Sequence, residues 1–277
     1  MEPLTDPAKL KAQVAYNTAS RHFDDEPLAF WARAGSRTVE RLELRAGAAV
    51  LDVGCGTGAS AIPAAKAIGP GGSIVGVDLA NRLLDRAREK AKRQQLANIE
   101  FRQADMEALD YPTDTFDAII SVFSVFFVPD MTKQIGALWR MLKPGGQLAI
   151  TTWGPNAFEP GASAFWAAVK KHAPPDLHFG GFNPWDRVTS VSAVRDLLTS
   201  AGIFDPKVEG EASQQSLRTV DDWWTIVIGS GFVWTVEQMG ESTARLVRAD
   251  NLNTLRSAGA TFIETNVIYA VARKPIP

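Results

Sequence analysis

Two rhythms of apolar and polar positions run through the first half of this chain. Short apolar runs at the start of Ala48–Gly58 and at Ser73–Val77, Ile99–Gln103, Phe116–Val122 and Gln147–Thr152 have the length and composition of buried strands. Between them lie stretches with helical spacing, Ala59–Ile68, Asn81–Gln95 and Met131–Leu142. In Asn81–Gln95, Leu83, Leu84, Ala87 and Ala91 share one face, with arginines and lysines opposite. In Met131–Leu142 the stripe is Ile135, Leu138, Trp139 and Leu142, and Asp130 is placed to cap the helix. Pro144-Gly145-Gly146 turns the chain into the fifth strand. Strands alternating with helices require a parallel sheet with right-handed crossovers, a doubly wound α/β fold.

The pattern is looser on either side of this block. Asp6–Ala19 and Pro27–Leu42 read as helices of an N-terminal arm spanning 1–44, ahead of a core at 45–153. After Trp153 the alternation stops, and 154–189 is an insert rich in aromatic residues, prolines and glycines. The core resumes over 190–216 with a helix, Val191–Ala201, and a sixth strand, Asp205–Ser216. A second insert, 217–265, carries Trp223, Trp224, Phe232 and Trp234 around Gly229-Ser230-Gly231, then an amphipathic stretch, Val236–Ser257. The last strand, Asn266–Arg273, falls in the closing segment 266–277. Two inserts on one side of a sheet form a lid. Aromatic residues there either line a chamber for an apolar or aromatic small molecule or build the lid's own core.

The candidate chemistry gathers where the strands end. Gly54-Cys55-Gly56-Thr57-Gly58 follows the first strand at once, and glycines at alternate positions let backbone approach a ligand closely. Gly54-x-Gly56-x-x-Ala59 also fits a dinucleotide fingerprint, so the turn alone leaves the cofactor open. Asp52, two residues before the first glycine, would repel a pyrophosphate and favour a cation such as S-adenosylmethionine, which carries an ammonium and a sulfonium but no phosphate. Asp78 follows the second strand, twenty residues past Gly58, where an acid grips ribose hydroxyls. Asp105 ends the third strand as a third carboxylate.

With these features in place the chain resembles the class I S-adenosylmethionine-dependent methyltransferases, in the branch that includes the ubiquinone/menaquinone-biosynthesis enzymes. The resemblance rests on LDVGCGTG at Leu51–Gly58, GVDLA at Gly76–Ala80, ADM at Ala104–Met106, FDAIIS at Phe116–Ser121 and LKPGGQLAI at Leu142–Ile150. It implies a seven-stranded, mostly parallel sheet with an antiparallel last strand and a helical lid. It also implies methyl transfer to a small acceptor. Asp52, Gly54, Cys55, Gly56, Thr57 and Gly58 would cradle the methionine side of the cofactor, and Asp78 would hold the ribose. Asp105 would accept from the adenine amine, Leu79 and Met106 would sandwich the ring, and Ser121 and Phe123 would approach the reacting methyl. In the resembled family the pre-core segment closes over the methionine end, which makes Tyr16, Phe23 and Gly35 candidate contacts.

Composition narrows the classes further. With 29 Lys+Arg against 31 Asp+Glu and a net charge of −2, nothing draws the chain to nucleic acid. Cys55 is the only cysteine, so a disulfide and a cysteine-built metal site are excluded, and no metal is expected. The N-terminus lacks a signal-peptide pattern and the longest apolar run, Ala118–Val128, is too short for a bilayer, which points to the cytoplasm. The sequence gives no oligomeric state. For a general base it offers His172 and His178 in the first insert, with His22, Glu159 and Asp186 as further options. Two other readings stand beside methyl transfer: an NAD(P)-dependent oxidoreductase, and a protein that binds S-adenosylmethionine without turnover.

Overall fold

The computed structural model describes residues 6–174 and 183–277. The arm forms α1 (Pro7–Ala19) and α2 (Phe30–Glu40). Asp6 caps α1 by accepting from the amides of Ala8 and Lys9. Pro27–Leu42 is not one helix: Pro27 opens a separate short turn, Glu26–Leu28, before α2 begins.

The core then runs β1 (Ala49–Val53), α3 (Ala61–Ile68), β2 (Ser73–Asp78), α4 (Asn81–Arg93), β3 (Ile99–Gln103), β4 (Phe116–Val122), α5 (Met131–Met141) and β5 (Leu142–Trp153). Next come α6 (Gly161–His172), α7 (Val191–Ser200), β6 (Lys207–Glu211) and β7 (Gln214–Ser216). The chain closes with α8 (Asp221–Ile228), α9 (Val233–Gln238), α10 (Gly240–Ser257), β8 (Phe262–Glu264) and β9 (Val267–Arg273).

Seven strands form one sheet in the order β3-β2-β1-β4-β5-β9-β6. The first five are parallel, and β9 runs antiparallel between β5 and β6. Alternate residues feed two cores, as the period of a strand demands. Leu51, Val53, Ile119 and Ile150 pack on one face; Val50, Ile74, Ala118, Ile120 and Ala149 pack on the other. Because β1 is central and covered on both sides, Val50 through Val53 are all buried, Asp52 among them. The Pro144-Gly145-Gly146 turn appears as a bulge: the ladder with β4 steps from Leu142 to Gln147 across it.

Asp205–Ser216 departs from its expected form. It splits into β6, on the main sheet, and β7, which leaves to pair with β8 in a separate two-stranded ribbon. The aromatics of the inserts pack on one another. Phe165 and Trp223 are fully buried, Phe232 nearly so, and the indole Nε1 of Trp223 donates to Asn251 Oδ1 at 2.7 Å. Among the described residues no helix is long and apolar enough to cross a membrane.

Candidate active site

Parallel strands release their carboxyl ends along one edge of the sheet, and β1, β2 and β4 end there side by side. After Val53 the chain turns at Gly54, where φ is +69° and a Cβ would lie 2.2 Å from that of Ser124, so no other residue fits. The amides of Gly54 and Cys55 both donate to Val77 O, at 2.8 and 3.0 Å, which ties the turn to the end of β2.

Asp78 completes this junction. Its Oδ2 accepts from the Gly56 amide at 2.9 Å and its Oδ1 from the Ala80 amide at 2.8 Å. Burial raises its carboxyl above the ordinary range in spite of these bonds. Asp52 lies beneath the turn, fully buried: Oδ2 accepts from Ser60 Oγ at 2.6 Å, and Oδ1 has no partner. Burial, opposed by Ser60 and reinforced by the charge of Asp78, pushes this carboxyl up to about 7. Cys55 is also buried, and burial, with the two acids, holds its thiol protonated.

The strand ends floor a cavity of about 880 Å³, counting its open mouth. Of the residues singled out from sequence, Gly54, Cys55, Gly56, Thr57, Asp78, Leu79, Met106 and Phe123 line it. Asp52 and Ser121 do not; they are fully buried behind the lining and act on it through neighbours. Ser121 Oγ donates to Ser124 Oγ at 2.6 Å, since the hydrogen of Ser124 is committed to Val53 O at 2.7 Å, and Ser124 lines the cavity. Gly58 faces Ile62 and Phe101 on the packed side of the turn. Gly35 is a packing site too, for a Cβ there would lie 2.4 Å from Ala59 O.

Asp105 is placed differently from the expected adenine contact. It lies outside the lining, with Oδ2 taken by Lys9 Nζ at 2.6 Å and Oδ1 by the Glu107 amide at 2.9 Å. Lys9 also pairs with Glu107 at 2.7 Å. One turn further along α1, Gln13 Nε2 donates to Leu79 O at 3.1 Å, and one turn beyond that Asn17 Oδ1 accepts from the Arg82 amide at 3.0 Å. This polar stripe holds α1 across the cavity, where Ala12, Gln13 and Tyr16 join the lining. Its spacing of four residues is legible in the sequence as one helix face, but it was not singled out there. A second tie follows: Asp24 accepts from Thr57 Oγ1 and Lys90 Nζ, both at 2.7 Å, and from Arg86 Nε at 3.2 Å. Burial alone would raise the Asp24 carboxyl, but these donors outweigh it and hold it below its usual range.

Five aromatic rings make an arc around the cavity. Phe127 meets Tyr16 edge-on at 5.7 Å, Tyr16 meets Phe23 at 6.2 Å, Phe23 stacks on Trp31 at 5.1 Å, and Trp31 meets Phe123 at 5.4 Å. Phe123 holds this place with φ at +52°, an uncommon conformation for a non-glycine residue, and stacks on Trp153 at 3.9 Å. Ser124 and Phe127 fall in Phe123–Val128, the stretch after the fourth strand that the sequence places along the chamber, whereas Trp31 had no distinguishing signal, because only the fold brings it to the strand ends.

The described histidines lie elsewhere. His172 Nε2 is 3.0 Å from Asp250 Oδ2, which Lys171 also reaches at 2.9 Å, and it is not in the lining. His178 falls outside the described residues. His22 pairs with Asp25 at 2.8 Å, Glu159 bonds Ser163, and Asp186 bonds the Asn183 amide. Among the described residues no cluster could hold a metal ion.

Residues 50–146 match the model of a methyltransferase domain. The chain is 33% identical over 144 residues to the aklanonic acid methyltransferase DauC of Streptomyces sp. strain C5, covering 52% of this chain and 66% of that protein. It is 32% identical over 155 residues to the ubiquinone/menaquinone biosynthesis C-methyltransferase UbiE of Marinomonas sp. strain MWYL1, covering 53% and 61%. The matches thus span somewhat under two thirds of these relatives' length. Among solved structures, the YcgJ protein of Bacillus subtilis superposes with a TM-score of 0.60 at 18% identity, covering 88% of this chain and 99% of that one. The [4+2]-cyclase SpnF does so with a TM-score of 0.54 at 21% identity, covering 89% and 81%. At such identities the structures establish the fold alone, and a cyclase among them shows that the fold does not dictate the reaction. Residues 50–146 thus carry a match to a methyltransferase domain, and the chain is similar to, over about half its length, methyltransferases of aklanonic acid and of ubiquinone/menaquinone biosynthesis.

Proposed function

We propose that this chain transfers a methyl group from S-adenosylmethionine to a small, largely apolar or aromatic acceptor. The observation that carries the reading is the meeting of the glycine turn and the Asp78 carboxylate in one cavity whose charge is negative. Asp78 takes the ribose hydroxyls on lone pairs left free by its two amide bonds. Leu79 and Met106 flank the adenine, and Gly54 through Thr57 carry the methionine side. The orphaned Oδ1 of Asp52 places a carboxylate beneath a cationic ligand, where it would oppose a pyrophosphate. That same charge weighs against the nicotinamide-nucleotide reading.

The cofactor supplies a methyl on a good leaving group, so the protein's share is positioning and exclusion of water. Helix α1 covers the cavity, Phe123 and Ser124 wall the strand end, and Asp105 serves as the anchor for Lys9. His172, bound by Asp250, is given no catalytic part, and none is assigned to His178. The insert aromatics Phe165, Trp223 and Phe232 are core residues outside the lining, and the arc from Phe127 to Phe123 supports an apolar or aromatic acceptor. Incubation with S-adenosylmethionine bearing a deuterated methyl, together with phenols, quinols and apolar amines, tests it by mass spectrometry. A labelled product with S-adenosylhomocysteine is expected. Cofactor binding with no methylated product in any class would leave the binding-only protein as the better reading.

A further inference from the structure

From the floor of the cavity we propose that Asp52 discriminates the methyl donor from its demethylated product, releasing a proton to water when the donor binds and regaining it once the sulfur has lost its charge. This rests on the methyl-transfer reading and adds to it the residue that separates the two states of the cofactor. Asp52 is fully buried near the end of β1. One of its oxygens accepts from Ser60 Oγ at 2.6 Å, and the other has no hydrogen-bond partner. Ser60 also lines the cavity, so the carboxyl lies one side chain away from a ligand over the glycine turn.

Without a cation over the turn, the surroundings of Asp52 favour the neutral acid. Asp78, at the end of β2, adds a second negative charge, and Cys55 in the turn is held as the uncharged thiol. The charges of the flanking elements are engaged elsewhere or face water. On α2, Arg33 reaches Thr265 and Arg37 reaches Glu211; on α3, Lys66 is exposed. On α4, Arg88 holds Asp85 and Lys90 holds Asp24; on β4, Asp117 holds Lys143. A buried carboxylate with one unmet oxygen and no facing cation among the described residues is costly, and a proton removes that cost. An acid pushed up to about 7 is in keeping with this. S-adenosylmethionine brings an ammonium and a sulfonium against one carboxylate, and its net positive charge over the turn makes the ionised Asp52 the favoured form. Methyl transfer leaves a neutral thioether, so S-adenosylhomocysteine carries no net charge and Asp52 holds its proton beneath it. The counter-charge is thus present for the donor and withdrawn for the product.

The test is calorimetric titration of the full chain at about pH 6, where the α-amine of either ligand stays protonated. S-adenosylmethionine and S-adenosylhomocysteine are each titrated in buffers of low and high ionisation enthalpy, which counts the protons released per ligand bound. The expected result is about half a proton or more for S-adenosylmethionine and about a fifth or less for S-adenosylhomocysteine. In Asp52→Asn the two counts should become equal, and affinity for S-adenosylmethionine should fall about tenfold while that for S-adenosylhomocysteine changes by less than about threefold. Equal counts for the two ligands in the wild type, or a difference that persists in Asp52→Asn, would overturn the inference and leave the methyl-transfer reading in place. Failure of both ligands to bind would overturn that reading and this inference with it. The wild-type difference needs no variant, so it stands even if the substitution prevents folding.

Discussion

Asp78 and Asp52 differ in what they touch, and their substitution should separate accordingly. Asp78 faces the cavity, so Asp78→Ala should weaken S-adenosylhomocysteine binding by about 10- to 100-fold, the loss of a charged hydrogen bond of roughly 1.5–3 kcal/mol; unchanged affinity by calorimetry would remove Asp78 from the site. Asp52 instead signals through pH. Its carboxyl titrates near 3.8 in the unfolded chain and about 7 when folded, so the folded state holds the proton more tightly. The stability this contributes is full below about pH 4 and is lost as pH rises through about 7. The melting temperature of ligand-free protein should therefore fall across that window relative to Asp52→Asn, and parallel pH profiles for the two would contradict the assignment. Both acids were legible as strand-end carboxylates. That one lines the cavity and the other lies behind it was not, because a strand's register against its neighbours decides which side chain reaches the crevice.

At the scale of elements, α1 is held by a stripe of polar side chains, Lys9, Gln13 and Asn17, one helical turn apart. The Lys9 pairs are shielded, with 18% exposure on the lysine and 14% on Asp105. Their loss should cost about 1 kcal/mol. Lys9→Gln should thus speed dissociation of S-adenosylhomocysteine about fivefold in stopped-flow displacement, as should high salt acting on wild type; an unchanged rate would mean that α1 does not gate the cavity. Most core elements were readable from periodicity, since their helices and strands follow local rules. The split of Asp205–Ser216 was not. Alternation continues through Ala212 and Ser213, and the break arises from the distant partner Phe262–Glu264, which captures β7.

Over the whole molecule, a sheet with a site at one edge carries a layer of helices that joins the core of one sheet face, with Phe158 between Trp153 and Phe232 at 4.7 and 5.6 Å. Helix α10 lies along α6, and Trp223, Phe165 and Phe232 fill the space between helices. Aromatic content could not distinguish a chamber lining from a lid core, because both need large apolar side chains and only packing tells them apart. Trp223→Ala should destabilise the fold by about 3–5 kcal/mol, as a fully buried large side chain does, while leaving ligand affinity intact in the protein that remains folded. A parallel loss of affinity would place the insert in the binding site. What the cavity binds is read out by calorimetric titration with S-adenosylhomocysteine and, separately, with NAD and NADP. The account predicts saturable one-to-one binding of S-adenosylhomocysteine and none of either nucleotide; binding of a nicotinamide nucleotide alone would contradict it.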